Sequence, residues 1–304
     1  MSRFEILVLG NSSALPAYGR HPSAQLINIH EQFLLIDCGE GTQERIAQYH
    51  AKAHKIDHIF ISHLHGDHYF GLPGLITSLN LTGRKNSLHI YSPPGLKGFI
   101  EYIMQLANAS LNFEICWHEL VGDQSILCLE DNVKKVIALP LNHRISAYGF
   151  IIEEQPGKRV FMADRFGAHL PPFETIMKLK NGEDVLLDNG IFLKSNDYTL
   201  PPVPPKKYSY CSDTLYEPGL IPFISNSDLL YHEATYAEMH AEKAKQNFHS
   251  TAREAAQIAL LSKVKRLMIG HYSSRYKEPE ILLKEAKTTF ENCILADEGN
   301  WYQV

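Results

Sequence analysis

The chain has 304 residues, 44% hydrophobic and 21% charged, which is globular composition and excludes a fibrous or disordered protein. A formal net charge of −5 argues against a broad nucleic-acid-coating surface and leaves room only for a local basic patch. No apolar stretch approaches the length of a membrane span, and five cysteines without a Cys-x-x-Cys pair (Cys38, Cys116, Cys128, Cys211, Cys293) read as reduced and mostly buried rather than as a disulfide framework.

In chain order, Phe4–Leu9 reads as a first strand that stops at Gly10-Asn11-Ser12-Ser13. A strand and loop there, not a signal peptide, make a cytoplasmic protein the expectation. Strands are expected over Gln25–His30 and Phe33–Ile36, then a helical stretch through Ala47 after Gly39-Glu40-Gly41. Asp57–Ser62 reads as a buried strand, Phe70–Leu81 as a helix, Leu88–Tyr91 as a strand and Gly95–Ala107 as a helix. Several strands fall between Phe113 and Glu153. Ser250-Thr251-Ala252-Arg253-Glu254 signals a capped helix running to Leu261. A strand at Arg266–Ile269, a helix at Pro279–Phe290 with proline at its start, and a closing strand at Cys293–Ala296 complete the chain. Strands and helices mixed in this way predict an α/β protein, two sheets with helices outside.

From Gln155 to Lys207 the apolar period weakens and prolines concentrate, so this segment reads as an insertion projecting from the main body. Val185–Phe192 inside it predicts a hairpin with an Asn-Gly turn. Its cations include Lys158, Arg159, Arg165, Lys178, Lys180, Lys194, Lys206 and Lys207, and the plain alternative is a solvated loop.

Of 16 histidines, three lie in Ser62-His63-Leu64-His65-Gly66-Asp67-His68. His63, His65 and Asp67 are spaced by two, which in an extended segment puts them on one side. One short loop then serves two metal ions, with imidazoles for one and a carboxylate and an imidazole for the other. Imidazole with carboxylate suits zinc, ahead of manganese or iron. Further ligands have to come from elsewhere. His143, Asp213 and His271 each sit at a strand-to-loop junction, where sheets carry their sites.

The order of these motifs resembles the ribonuclease Z family of tRNA 3′-processing endonucleases, within the metallo-β-lactamase superfamily. The matching segments run from Leu9-Gly10-Asn11-Ser12-Ser13 through Leu35-Ile36-Asp37-Cys38-Gly39-Glu40-Gly41, Asn142-His143, Ser212-Asp213-Thr214, His232-Glu233-Ala234-Thr235 and His249-Ser250-Thr251 to His271-Tyr272-Ser273-Ser274-Arg275-Tyr276. The resemblance implies a four-layer αββα sandwich of two mixed sheets spanning residues 1–304, with a flexible arm at about 155–207. It implies two zinc ions per subunit, or manganese or another divalent metal. His63, His65 and His143 would hold one and Asp67, His68 and His271 the other. Asp213 would bridge them, and Asp37 would orient a ligand imidazole.

In the activity so implied, metal-activated hydroxide attacks phosphorus, Asp67 accepts a proton, and His249 supported by Glu233 acts at the leaving group. The product is a tRNA cut after its discriminator nucleotide, with a 3′-hydroxyl. Precursor tRNA would be gripped through the arm, by Lys158, Arg159, Lys178 and Lys180, with Arg275 as a further phosphate contact, and the enzyme would be a homodimer. In the loop Pro16–His21 the chain keeps Pro16 and Arg20 of the family's pattern but carries Tyr18 and His21 in place of lysine and asparagine. The alternative function is a related dinuclear-zinc phosphodiesterase or thioesterase acting on a small substrate.

Overall fold

Alternation along the first strand decides the layering. Phe4, Ile6 and Val8 face one buried cluster while Leu7 and Leu9 face another, so the strand is covered on both sides. The computed structural model describes residues 3–166 and 169–304; Met1, Ser2 and, within the predicted insertion, Gly167 and Ala168 lie outside the described residues. The chain divides into two units, Met1–Glu153 with Lys206–Val304, and Glu154–Pro205.

The strands before the second unit are β1 (Phe4–Gly10), β2 (Ala24–Ile29), β3 (Gln32–Ile36), β4 (Ile56–Phe60), β5 (Leu88–Ser92), β6 (Ile115–Glu119), β7 (Ile126–Glu130), β8 (Lys134–Pro140) and β9 (Tyr148–Glu154). The second unit holds β10 (Val160–Phe161), β11 (Val185–Leu186), β12 (Phe192–Leu193) and β13 (Thr199–Leu200). After it come β14 (Lys207–Cys211), β15 (Leu229–Glu233), β16 (Leu267–Gly270), β17 (Cys293–Leu295) and β18 (Trp301–Gln303). Among the described residues the first unit forms two seven-stranded mixed sheets, ordered β18-β1-β2-β3-β4-β5-β6 and β17-β16-β15-β14-β9-β8-β7.

Among the described residues, three buried clusters hold these layers together. Between the sheets, Phe60 and Tyr91 of one meet Phe150, Tyr208, Tyr210 and Tyr231 of the other. The first sheet's outer face packs on Ile46, Leu75, Ile76, Leu79, Ile100 and Met104 from helices 42–48, 72–81 and 96–106. The second sheet's outer face takes Ala255, Ala256 and Ala259 of helix 252–261 and Leu282 and Ala286 of helix 280–287. The order helices, sheet, sheet, helices is the expected αββα sandwich. Tyrosines are tolerated between the sheets because their hydroxyls are bonded: Tyr210 donates to Asp37 and Tyr208 to Gln25.

Parallel pairing joins β3 to β6 and β14 to β17, so those strands release their loops at one end. Open α/β sheets bind ligands at the carboxyl ends of such strands. Asp37 follows β3, His63 follows β4, Asp213 follows β14 and His271 follows β16.

The structure corrects three local expectations. The helix predicted over 70–81 starts later, at Leu72, and a separate short helix, Gly66–Tyr69, precedes it. The chain does not close at Cys293–Ala296. β18 follows and pairs antiparallel with β1, Leu7 opposite Trp301 and Glu5 opposite Gln303. Three residues after a Gly299 turn carry too little alternation to be read as a strand. Finally, Lys206 and Lys207 belong to the first unit, where Lys207 opens β14 and pairs with Glu153 at 3.4 Å.

Other readings hold. Thr251 and Glu254 form a reciprocal capping box at the start of helix 252–261, and all five cysteines are free. Within the second unit, β11 pairs with β12 around Asn189-Gly190, with Gly190 at φ 82° as such a turn requires. Among the described residues, no helix is long and apolar enough to cross a membrane.

Candidate metal centre

The site is built at the sheet ends around one buried carboxylate, Asp213, which is 2% exposed. Its Oδ1 lies 3.3 Å from His68 Nε2 and 3.2 Å from His271 Nε2. Its Oδ2 lies 3.5 Å from His63 Nε2 and 3.9 Å from His143 Nε2. The ligand-type atoms of His63, His65, His143 and Asp213 fall within 4.8 Å of one another, as do those of Asp67, His68 and His271. Two nests of donors therefore meet on opposite oxygens of one carboxylate.

The period-two reading of the histidine motif holds for His63 and His65 and fails at Asp67. β4 ends at Phe60 and the chain is still extended at His65 (φ −82°, ψ 143°), but a helix starts at Gly66. Asp67 and His68 are therefore helical neighbours and reach the same nest, which an extended chain would forbid.

Four of the rings are oriented by what the far nitrogen does. His68 Nδ1 donates to Asp37 Oδ2 at 2.8 Å. His63 Nδ1 sits 3.0 Å from the Ser62 hydroxyl, which itself donates to Asp37 Oδ2 at 3.0 Å. His143 Nδ1 donates to the Phe248 carbonyl at 2.9 Å. His271 Nδ1 lies 2.9 Å from the Thr235 hydroxyl, which donates to Glu233 Oε2 at 2.5 Å. These assignments leave the Nε2 lone pairs of His63, His68, His143 and His271 facing the centre, while His65 faces it through Nδ1. Asp67 Oδ2 accepts the Ala14 backbone N–H at 2.7 Å and points between His68 and His271.

The donors fit a divalent metal pair. Among the described residues, His68 Nε2 and His271 Nε2 are buried atoms without a hydrogen-bond partner. His63 Nε2 and His65 Nδ1 are 3.0 Å apart, and His65 Nδ1 and His143 Nε2 3.3 Å. Two nitrogens on one tetrahedral zinc, each at about 2.0–2.1 Å, would be about 3.3 Å apart.

The electrostatics agree. Burial lowers the pKa of His63, His65 and His143, leaving neutral rings able to ligate. Burial opposes charge on His68 too, but Asp213, Asp67 and Asp37 outweigh it and raise its pKa well above the histidine value: a proton is held where the carboxylates call for a cation. Burial works against ionising Asp67 and Asp213, yet the surrounding imidazoles hold both well below the usual carboxylate range.

His249 stands beside this centre with Nδ1 3.0 Å from Glu233 Oε1. Burial disfavours its charge, but Glu233 and then Asp213 overcome that and lift its pKa to about 9. The centre opens on a cleft of about 450 Å³ lined in part by Leu15, Pro16, Phe70, Arg144 and His249. Arg144 and Phe70 escaped the sequence reading, although Arg144 directly follows His143. Arg275 stands outside that lining, exposed, with its guanidinium 5.4 Å from the centre of the Tyr236 ring. In the second unit Lys158 and Lys178 are exposed, Lys178 pairing with Glu174 at 3.0 Å. Lys180 is half-buried, and Arg159 is spent locally, donating to Thr199 Oγ1 at 2.7 Å.

Known proteins show the same whole-chain pattern. The ribonuclease Z of Bacteroides fragilis is 40% identical over 299 residues, covering 98% of this chain and 98% of that one. The chain belongs to the ribonuclease Z family. The crystal structure of the short form of human tRNase Z superposes with a TM-score of 0.73 at 28% identity, covering 99% of both chains. A metallo-β-lactamase-fold protein of Bacillus subtilis, YhfI, gives 0.68 at 20% identity over 99% of this chain and all of that one, which supports the fold alone. A family model described as anti-Pycsar protein Apyc1 matches residues 4–107. That stretch holds the His63–His68 segment but ends before His143, Asp213, His249 and His271, so it does not bear on the completed centre.

Asp37 is the residue on which the geometry turns in this ribonuclease Z relative. It is fully buried and accepts from Ser62 N–H, Ser62 Oγ, His68 and Tyr210. Asp37→Ala strands those donors and should cost about 3–5 kcal/mol of stability, read as a lowered denaturant midpoint. A midpoint within experimental error of wild type would contradict this.

Proposed function

We propose that this chain is a metal-dependent endoribonuclease that removes the 3′ trailer of precursor tRNA, cutting just after the discriminator nucleotide and leaving a 3′-hydroxyl on the tRNA. The observation that carries this reading is Asp213 shared between two nests of imidazole and carboxylate donors, in a chain that belongs to the ribonuclease Z family. His63, His65 and His143 would hold one zinc, Asp67, His68 and His271 a second, with Asp213 common to both. Such a pair supplies Lewis acidity to the scissile phosphate and lowers the pKa of the attacking water.

The chain's own groups do the rest. Asp67, fixed by the Ala14 N–H, orients the water and takes its proton. Water's oxygen bonds to phosphorus as the bond to the 3′ oxygen of the discriminator nucleotide breaks. His249, kept protonated by Glu233, donates to that departing oxygen. Arg144 offers the cleft a guanidinium for a phosphate oxygen. The exposed Lys158 and Lys178 of the second unit support a role for that unit as an arm that contacts tRNA phosphates. The reading carries with it a cytoplasmic location, which the five free cysteines favour, and a homodimer, which rests on the family resemblance.

The first test is cleavage of a precursor tRNA with a 3′ trailer. A single cut after the discriminator nucleotide is expected, abolished by a chelator and by His65→Ala; hydrolysis of small esters with the precursor left intact would sink the proposal. A second test addresses the acid. His249 is protonated below its raised pKa and loses the proton as pH climbs through it, so activity should fall on the alkaline side. Glu233→Gln removes the raising partner, and the alkaline limb of kcat/KM should move to lower pH; an unmoved limb removes His249 from the role. Third, replacing residues 155–205 by a short linker, which leaves Lys206 and β14 in place, should weaken cleavage of the precursor far more than hydrolysis of bis(p-nitrophenyl) phosphate. Equal losses would refute the arm.

A further inference from the structure

Phe70 has no part in the chemistry above, yet it is 56% exposed and lines the cleft beside the metal centre. It follows directly on the short helix Gly66–Tyr69 that carries Asp67 and His68. Its ring is not free to swing. A methyl group on Gly66 would meet it at 2.2 Å, so the ring lies against the bare Cα of that glycine. Its edge meets Tyr69 at 4.9 Å between ring centres, and Tyr69 in turn meets Phe99 at 5.3 Å, both edge to face. An exposed aromatic side chain is thus braced from below and from the side.

Phe70 also stands where the cleft continues. A second groove of about 440 Å³ shares Phe70 and Glu40 with it and is lined further by Gly41, Gln43, Glu44 and Gly74. Among the described residues lining that groove there is no lysine or arginine, and Glu40 and Glu44 are exposed carboxylates. A polynucleotide running this way cannot be held by its phosphates there. Base faces stack on aromatic rings whatever the sequence, and that grip needs no positive charge.

Resting on the ribonuclease reading, we propose that Phe70 is a stacking platform for the base of a nucleotide flanking the scissile phosphate, and that a strand of the substrate crosses it into the acidic groove. Phe70 then sets where the backbone lies over Asp213 by binding a base, not by touching the reacting atoms.

The test is a cycle between protein and RNA. A precursor tRNA carrying an abasic ribose, placed in turn at the discriminator and at the first trailer nucleotide, is compared with the intact precursor. Wild type should lose about ten-fold in kcat/KM at one of the two positions, mainly through KM, in line with the contribution of a single stack. Phe70→Ala should show a similar loss on intact RNA and no further loss on the abasic RNA. Phe70→Trp should restore wild-type behaviour and Phe70→Leu should not. Metal content and melting temperature are measured for each variant, and at this exposure they should match wild type. If Phe70→Ala cuts intact RNA as well as wild type, or still pays the abasic penalty, the platform is overturned while the endonuclease reading stands. If wild type leaves the intact precursor uncut, the endonuclease reading falls and takes the platform with it.

Discussion

An imidazole that is to face a cation must keep its proton on the other nitrogen, and in this centre that single requirement explains most of the surrounding polar residues. Two carboxylates meet it in the same way. Asp37 takes the His68 N–H directly and reaches His63 through the Ser62 hydroxyl. Glu233 takes His249 directly and reaches His271 through the Thr235 hydroxyl. Each carboxylate thus fixes one ring by contact and a second by a hydroxyl relay. The two differ in what the directly held ring does: His68 turns its free nitrogen to Asp213, whereas His249 is left charged beside the cleft.

His143 follows the same logic with different means. It gives its proton to a main-chain carbonyl, that of Phe248, and so depends on the turn that precedes helix 252–261. That turn is tied down by the Ser250 hydroxyl, which donates to the carbonyl of Thr214, one residue past Asp213. The second sheet therefore does more than supply ligands. It brings the loop after β15, the loop after β14 and the loop after β8 into mutual contact, and the His143 tautomer is settled by those contacts.

Much of this was legible in the sequence because it is local. The mixture of strands and helices along the chain gave two sheets with helices outside, the capping pattern at Thr251 gave a helix, and four ligand-type residues between His63 and His68 gave a centre. What was not legible depends on backbone conformation or on distant chain. The extended period could not reveal that a helix begins at Gly66, which is why Asp67 and His68 act together. β18 is three residues long and is a strand only because the edge of β1 is there to pair with it. Arg144 looks like any surface arginine until the cleft is seen to close around it. Phe70 looks like core until Gly66 is seen to hold its ring outward.

Part of the backbone strain lies at the same place. Ala14, Asp37, Phe248 and His271 all have positive φ, between 56° and 59°, without being glycine. Such conformations cost on the order of 1–3 kcal/mol each and persist only where the surroundings over-determine them. Each of the four presents a group to the centre: the Ala14 N–H to Asp67, the Asp37 carboxylate to His68, the Phe248 carbonyl to His143, and the His271 ring to Asp213. Glycine would relieve the strain at Ala14 and Phe248, where only the main chain is used, but not at Asp37 or His271, where the side chain is needed as well. The fold therefore bears a local cost at the centre that its three apolar clusters have to offset. That cost is what lets residues from the loops after β4, β8, β15 and β16 converge on one carboxylate, Asp213.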